Sequence, residues 1–434
     1  MIPETTHNMT QKPEYEALLS AIGDYVTVKP VDKPRTIYLL GKAKGDRSYR
    51  EFSEAAGVSK SFLSYVLNGK SIKIKADTIA GLVNAAAPKS GVTLEEFMDA
   101  QGWVHKKDLG AFDADYRSYI RRFLIDELLE LGYTAEYAEK YSPEKDLIKG
   151  TVMLQLRKPG TDEFMPCDFK IRTRPIVKAQ EHYNAMLTSW VNESVKANFF
   201  QKNRLFLVVD NPTVYKKLLK KVEKLRIKND ISLLLVDPQE RRVISENPIT
   251  KSEGWEAAPL FHPYKADPDW IKNYSFRNVR VREARALIAD KMMSKGWLIW
   301  LIDPGEFQPP DKIGHINPGF TIAVKTRLRK QVFYWAFMLM FLPEDADEAA
   351  AREEVRAWVS KAIVYHHLGG KIDRLSLVVD NEVIYKYAFE EISTLHMNNE
   401  ISLLCVSFIR GQITHEYRIP ISENMVLKEK FVLL

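Results

Sequence analysis

The stretch RLFLVVDNPTVYKKLLKKVEKLRIKNDISLLLV, at Arg204–Val236, occurs a second time as RLSLVVDNEVIYKYAFEEISTLHMNNEISLLCV at Arg374–Val406. The two stretches align without gaps at a distance of 170 residues, and 16 of their 33 positions are identical. A match of this kind indicates an internal duplication. Each stretch reads as an apolar strand, a helix and a second apolar strand, which is typical of a buried α/β sheet.

The duplication continues upstream with weaker similarity. The segment KIRTR at 170–174 matches KTRLR at 325–329, and each is followed by a Gln-x-x-Tyr sequence, beginning at Gln180 and at Gln331. We interpret both Gln-x-x-Tyr sequences as the start of a helix. Each copy is thus predicted to run helix, two or three strands, helix, strand, helix, strand.

Glycines delimit the first helix of each copy. The predicted helices end at Gly132 and at Gly296, since glycine readily takes the left-handed conformation that ends a helix. We place copy one at 113–250 and copy two at 272–434, joined by the polar, proline-containing connector PLFHPYKADPDW. The acidic stretch Glu344–Glu354 is interpreted as a solvated helical insertion in copy two.

A compact series of helix signals precedes the first copy. Ser48 and Glu51 have the spacing of a capping box, Gly57 can end the short helix that follows, and Ser59 can cap the next one. That next helix is KSFLSYVLN, at 60–68. Its apolar side chains recur at helical spacing and are expected to face inward: Leu63, Val66 and Leu67.

The segments SYREFSEAA, GVSKSFLSYVLNGK, DTIAGLVNAA and VTLEEFMDAQG together resemble the Xre/Cro-like helix-turn-helix family of the phage-repressor type, over about residues 35–103. In that family the second helix of the motif enters the major groove of DNA. The resemblance implies that four residues read base edges: Lys60, Ser61, Ser64 and Tyr65. It also implies that six residues contact the DNA backbone: Arg47, Arg50, Ser59, Asn68, Lys70 and Lys73.

The charge distribution agrees with a polyanionic partner at this end. The chain has 63 Lys and Arg against 57 Asp and Glu, a formal net charge of +6. Residues 35–75 hold nine basic and three acidic side chains, so their own balance of +6 accounts for the whole excess. Such a local excess suits nucleic acid, although a solvated helix face is equally compatible with charge alone.

Composition excludes several classes of protein. Of the 434 residues 45% are hydrophobic and 28% charged, values that exclude a largely disordered or fibrous chain and suit two to four domains. No apolar run is long enough to span a membrane, and the first residues lack the pattern of a secretory signal. The only cysteines are Cys167 and Cys405, too few for a disulfide framework or a thiolate zinc site, so we expect a cytoplasmic protein.

The order of elements in each copy resembles the PD-(D/E)xK nuclease-like fold, also called restriction-endonuclease-like. In that family an upstream acid and a D/E-x-K pair bind Mg²⁺ and activate a water molecule. Asp168-Phe-Lys170 fits the D-x-K pattern, and the upstream acid is Asp146 or Glu144. The matching triplet in copy two is Ala323-Val-Lys325, which lacks the acid, so that copy departs from the family and is not expected to hold a metal ion.

Both copies carry alternating cations, which the two-residue period of a strand would place on one face: Lys170, Arg172 and Arg174, and Lys325, Arg327 and Arg329. Three like charges on one face repel each other unless an anion neutralises them. We therefore expect either an anion or DNA contact, or an exposed edge strand that charge protects against pairing.

The predicted fold is multidomain, α plus α/β. An all-α helix-turn-helix domain at 1–104 is followed by the two tandem α/β domains. The predicted function is sequence-specific binding of double-stranded DNA as a transcriptional regulator, and the favoured hypothesis is a repressor. We expect it to act as a homodimer without a cofactor. The α/β copies would serve dimerisation, DNA contact or the sensing of an anionic small-molecule or protein effector. The alternative is a Mg²⁺-dependent DNA endonuclease of a restriction or mobile-element defence system.

Overall fold

The computed structural model describes most of the chain. The described residues are 13–27, 31–68, 73–88, 90–142, 145–146, 149–172, 180–199, 203–222, 230–238, 241–249, 259–261, 276–302, 319–326, 331–342, 347–368, 372–393, 395, 400–408, 410–418 and 433–434. They form a mixed α/β structure with a small two-stranded ribbon and one large sheet. No helix in these ranges combines the length and the apolar character that crossing a membrane requires.

The N-terminal part is a group of short helices that share one core. Its elements are α1 (Pro13–Ile22), β1 (Tyr25–Thr27), α2 (Lys33–Lys44), α3 (Tyr49–Ala56), α4 (Lys60–Leu67), α5 (Ala76–Asn84), α6 (Leu94–Ala100) and β2 (Trp103–His105). Leu40, Phe52, Leu63 and Phe97 are fully buried at its centre. The prediction of an all-α domain is wrong in one respect, because β1 pairs with β2 in an antiparallel ribbon that closes the two ends of this part.

The predicted caps around α3 and α4 are confirmed. Ser48 accepts a hydrogen bond from the backbone N–H of Glu51, while the Glu51 carboxylate accepts one from the backbone N–H of Ser48. Gly57 ends α3 with a φ of +67°, and the Ser59 hydroxyl accepts from the backbone N–H of Phe62 to begin α4. Local sequence therefore sets the turn between these two helices.

The two copies have the same series of elements. Copy one consists of α7 (Leu109–Glu130), β3 (Thr134–Tyr137), β4 (Thr151–Arg157), β5 (Phe164–Arg172), α8 (Gln180–Phe199), β6 (Arg204–Val209), α9 (Pro212–Val222), β7 (Ile231–Asp237) and β8 (Arg242–Pro248). Copy two consists of α10 (Phe276–Ser294), β9 (Leu298–Ile302), β10 (Phe320–Lys325), β11 (Phe333–Met340), α11 (Glu348–Leu368), β12 (Arg374–Val379), α12 (Glu382–Ile392), β13 (Glu400–Ser407) and β14 (Gln412–Arg418).

All twelve of these strands belong to one continuous sheet, in the order β14-β13-β12-β11-β10-β9-β3-β4-β5-β6-β7-β8. Within each half three neighbouring strands are parallel, β5-β6-β7 in copy one and β11-β12-β13 in copy two. The other strand pairs of each half are antiparallel. The halves join where β3 pairs antiparallel with β9, through Ala135 and Ile299. These two residues are counterparts, because each lies three residues beyond the glycine that follows the first helix, Gly132 or Gly296. The halves are therefore related by an approximate two-fold axis at this pair.

The two faces of the sheet are covered differently. On one face α7 and α10 pack together, and a single core contains residues of both copies, among them Phe169 and Trp335. On the other face each copy has its own core, under α8 and α9 in copy one and under α11 and α12 in copy two. The duplication is thus built as an internal dimer with one shared core.

Ion pairs cross the axis between the two helices of the shared face. Arg121 on α7 donates to Asp290 on α10 at 2.7 Å. Its counterpart 164 residues later, Arg285, donates to Asp126 on α7 at 2.5 and 3.0 Å. Burial is the largest influence on the pKa of Arg121 and acts to lower it, but Asp290, Tyr137 and Tyr141 together outweigh burial and raise that pKa. Both pairs are nearly buried, and each copy supplies one acid and one base.

The prediction of a helix at Gln331 is wrong. Residues 333–340, FYWAFMLM, form strand β11, and Trp335, Ala336 and Phe337 are fully buried. An uninterrupted run of aromatic and aliphatic residues suits a strand that is covered on both faces. The counterpart of α8 is α11, so the acidic residues that begin it belong to the crossover helix of copy two and not to an insertion.

We predict that Asp290→Asn destabilises the protein by about 3 kcal/mol, because it leaves the Arg121 guanidinium buried without a compensating charge. The matched control is Asp162→Asn, since the Asp162 side chain is 99% exposed and its ion pair with Arg157 is worth at most ~1 kcal/mol. Urea unfolding of both variants measures the difference. Equal stability of the two variants would contradict the proposed role of the crossed ion pairs.

Candidate nucleic-acid interface

Helix α4 has two chemically distinct faces. Leu63 and Val66 are fully buried against the helical core. On the opposite face Lys60 and Ser61 are exposed, and the Tyr65 side chain is 52% exposed although it is large and aromatic. The helix therefore presents a cation, a hydroxyl and a phenol to solvent from its first two turns.

Two of the predicted DNA-contacting residues, Ser64 and Asn68, are hydrogen-bonded to each other at the end of α4. The Asn68 side-chain amide donates to the Ser64 carbonyl at 2.7 Å and to the Ser64 hydroxyl at 3.2 Å. This arrangement closes the C-terminal end of the helix and leaves Ser64 half-buried. Ser64 is consequently less accessible than Lys60, Ser61 or Tyr65.

The flanking basic residues occupy different environments. Arg47 donates to the carbonyls of Ala43 and Lys44, and its guanidinium lies 4.8 Å from the centre of the Phe52 ring. It thus completes the end of α2 and is not directed outward. Arg50 is exposed and forms an i,i+4 ion pair with Glu54, and Lys73 is exposed. Lys70 lies outside the described residues.

Sequence reasoning missed one exposed aromatic residue in this region. The Tyr49 side chain is 40% exposed at the start of α3, with the Lys44 ammonium 5.8 Å from its ring centre. Helical spacing would place Tyr49 on the same face as the buried Phe52. Its position in the first turn, directly after the Ser48 cap, is the signal that it lies at an exposed edge.

The second predicted site, on β5, is assembled in part. Asp168 and Lys170 lie on one face of the strand, as their spacing of two predicts. The Asp168 carboxylate is buried and accepts from the Asn203 side chain at 3.1 Å, and burial raises its pKa. Lys170 donates to the Thr151 hydroxyl at 2.7 Å, and burial lowers its pKa.

The upstream acid is occupied locally. The Asp146 carboxylate accepts a hydrogen bond from the backbone N–H of Ser142 at 2.9 Å. This carboxylate therefore stabilises a local turn. The other candidate, Glu144, lies outside the described residues. Among those that are described, no group of three or more His, Cys, Asp or Glu side chains is arranged to hold a metal ion.

Strand pairing corrects the alignment of the cation rows. Lys170 pairs with Leu207, and the counterpart of Leu207 in copy two, Leu377, pairs with Met338. Met338 is therefore the counterpart of Lys170. Lys325 instead ends β10, opposite Leu298. The prediction that Lys325 repeats the position of Lys170 is wrong, since it rested on sequence similarity without the strand register.

The same register places Ala336 opposite Leu375, where Asp168 in copy one lies opposite Leu205. Copy two thus has neither the acid nor the lysine of the D-x-K pattern. Arg172 follows Lys170 on the same strand face and is half-buried. The other members of the predicted cation rows lie outside the described residues: Arg174, Arg327 and Arg329.

The Asp-Asn sequences after β6 and β12 cap the following helices through their asparagines. Asn211 and Asn381 accept hydrogen bonds from backbone N–H groups of the first helical turn, those of Thr213 and Val383. Asp210 instead accepts from the hydroxyl of Tyr116 on α7. Asparagine is an equally good cap, so the sequence alone does not distinguish the two.

We predict that the protein with Mg²⁺ leaves supercoiled plasmid DNA uncut, because Asp146, Asp168 and Lys170 are each held by a separate protein partner. Gel electrophoresis of plasmid after incubation checks this. Mg²⁺-dependent cutting that Asp168→Asn abolishes, while the surface control Asp162→Asn retains it, would establish the nuclease reading instead.

Comparison with known proteins adds no name to either site, since no family model and no curated protein matches the chain.

Proposed function

We propose that the protein is a sequence-specific double-stranded DNA-binding transcriptional regulator, a repressor, and that α4 enters the major groove. The observation that carries the proposal is the exposed polar face of α4, Lys60, Ser61 and Tyr65, behind which Leu63 and Val66 fix the helix to a core. A rigid helix of this width fits the major groove, where each base pair presents a distinct set of hydrogen-bonding groups.

The chemistry of the exposed residues supports this role. The Lys60 ammonium can donate to guanine O6 and N7, and the Ser61 hydroxyl can donate to or accept from either kind of base edge. Arg50 and Lys73 are exposed near the ends of the motif and can contact phosphates, which set register without reading sequence. Arg47 is a structural residue in this proposal, because it already completes the end of α2.

The duplicated α/β part supports a platform role. Its two halves share a core and a continuous sheet, so they form one large body, and the chain has one proposed helix-turn-helix. A lone motif of this type buries little surface on DNA, and affinity usually comes from two motifs on half-sites about one helical turn apart. We propose that two chains associate to supply the second α4.

The function is tested by selecting duplexes from a random pool with the full-length protein and measuring affinity for the enriched sequence by fluorescence anisotropy. We expect Lys60→Ala/Tyr65→Ala to weaken binding by about tenfold or more, since each lost base contact costs ~1–3 kcal/mol. The control is Lys216→Ala/Lys220→Ala on α9, which removes exposed cations remote in sequence from the motif and should leave affinity unchanged.

A second readout separates base reading from phosphate contact. Lys73→Ala should weaken binding to all duplexes alike and reduce the slope of log K against log salt by about one, because it removes one phosphate contact. No enriched sequence, or equal affinity of the Lys60→Ala/Tyr65→Ala variant and the wild type, would refute the proposal.

A further inference from the structure

A partly open cleft lies between α7 and α10 on the approximate two-fold axis. Its walls are these two helices and the tips of two hairpins, β7–β8 from copy one and β13–β14 from copy two. Phe123, Leu287 and Phe408 provide an apolar lining, and arginines lie around them.

Arg122, on α7, is the cation in this cleft that lacks an acidic partner. Its Nη1 donates to the Ser118 hydroxyl at 3.3 Å and to the Gly411 carbonyl at 3.4 Å, both long hydrogen bonds to neutral groups. The Ser118 hydroxyl is shared with Arg121. No carboxylate in the described part of the chain is within 4.0 Å of the Arg122 guanidinium. Burial lowers the pKa of Arg122 and the charge of Arg121 adds to this effect, while the charges of Asp290 and Glu283 oppose it without outweighing it.

The other arginines of the cleft are already neutralised. Arg241 forms an ion pair with Glu283, and Arg282 lies 3.4 Å from Asp126. An uncompensated charge that is partly removed from water is unfavourable unless a ligand supplies the missing anion. The cleft therefore has room for one added negative charge, next to Arg122.

The two hairpin tips differ in sequence, so the environment of Arg122 is not repeated on the other side of the axis. Arg241 and Gly411 are counterparts, 170 residues apart, and both have a left-handed backbone, with φ of +53° and +60°. The Arg122 guanidinium fits beside residue 411 only because that residue is glycine, since a Cβ at position 411 would lie 2.6 Å from Nη2 of Arg122. Arg241 keeps a side chain in a conformation that favours glycine, and its guanidinium lies 5.7 Å from the Tyr119 ring centre.

The counterpart of Arg122 in α10 is Ala286, 164 residues later, so the wall opposite Arg122 is apolar at this one position. The pseudo-symmetric position thus has a cation on one side and a methyl group on the other. A ligand with a charged end and an apolar body matches this asymmetry.

We propose that this cleft binds a small aromatic anion whose carboxylate or phosphate accepts hydrogen bonds from Arg122 and whose ring packs against Phe123, Leu287 and Phe408. Because α7 and the β13–β14 hairpin come from different copies, the ligand bridges the two halves of the internal dimer. The site is a candidate effector site, and it stands whether or not α4 binds DNA.

The test uses the full-length protein and two probes at millimolar concentration, benzoate and phenyl phosphate, with benzyl alcohol as the neutral control. A ligand that binds the folded state alone raises the melting temperature. We expect benzoate or phenyl phosphate to raise it, and benzyl alcohol to have a much smaller effect. A shift with benzoate alone identifies a carboxylate ligand, and a shift with phenyl phosphate alone identifies a phosphate ligand.

Variants locate the site. Arg122→Gln should fold, melt at a higher temperature than the wild type without probe, and lose the probe-induced shift. Gly411→Ala, whose Cβ would displace the guanidinium, should lose it too. Arg356→Gln, at an exposed arginine of α11, should retain it. The proposal is overturned if neither anion stabilises the wild type, or if Arg122→Gln and Gly411→Ala respond as the wild type does.

Discussion

The crossed ion pairs between α7 and α10 hold the two halves of the molecule in one register. Arg121–Asp290 and Arg285–Asp126 are related by the approximate two-fold axis, so each half completes the other. Buried ion pairs add little net stability, but a mismatched arrangement would leave a charge buried without its partner. We infer that the pairs disfavour other relative positions of the two helices. The twelve-stranded sheet, the shared core and the cleft on the axis all require this one arrangement.

The two halves differ in their charged side chains at corresponding positions. Asp168 in copy one corresponds to Ala336, and Arg122 corresponds to Ala286. Other paired features survive in both. Glu246 on β8 and its counterpart Glu416 on β14 each accept hydrogen bonds from two consecutive backbone N–H groups of a later segment. The scaffold is thus kept in both copies, while the residues able to bind a ligand differ.

This division explains what the sequence could and could not predict. Caps, short amphipathic helices and the duplicated strand–helix–strand unit depend on neighbours within a few residues. The interactions of Ser48, Gly57 and Ser59 were therefore predictable. Strand register depends on residues far away in the chain, so the positions of Lys325 and of strand β11 were not. The pairing of Ala135 with Ile299 follows from helices that meet across 164 residues, and no local pattern contains it.

The same reasoning applies to the two candidate sites. The exposed face of α4 was predictable because burial of Leu63 and Val66 determines which residues remain outside. The cleft was not, because Arg122 is unusual only once Gly411 and the surrounding carboxylates are placed in space. Aligning the two copies with each other does not show which residues of one copy lie next to residues of the other, so a site between them cannot be predicted in this way.

Methylation protection on a selected duplex reports whether α4 lies in the major groove, as we propose. Guanine N7 lies in the major groove and adenine N3 in the minor groove, so one reagent, dimethyl sulfate, reports on both. We predict that the bound protein protects guanine N7 within each half-site and that Lys60→Ala restores its reactivity. Protection confined to adenine N3, or a pattern that the Lys60 substitution leaves unchanged, would refute base reading by α4 in the major groove.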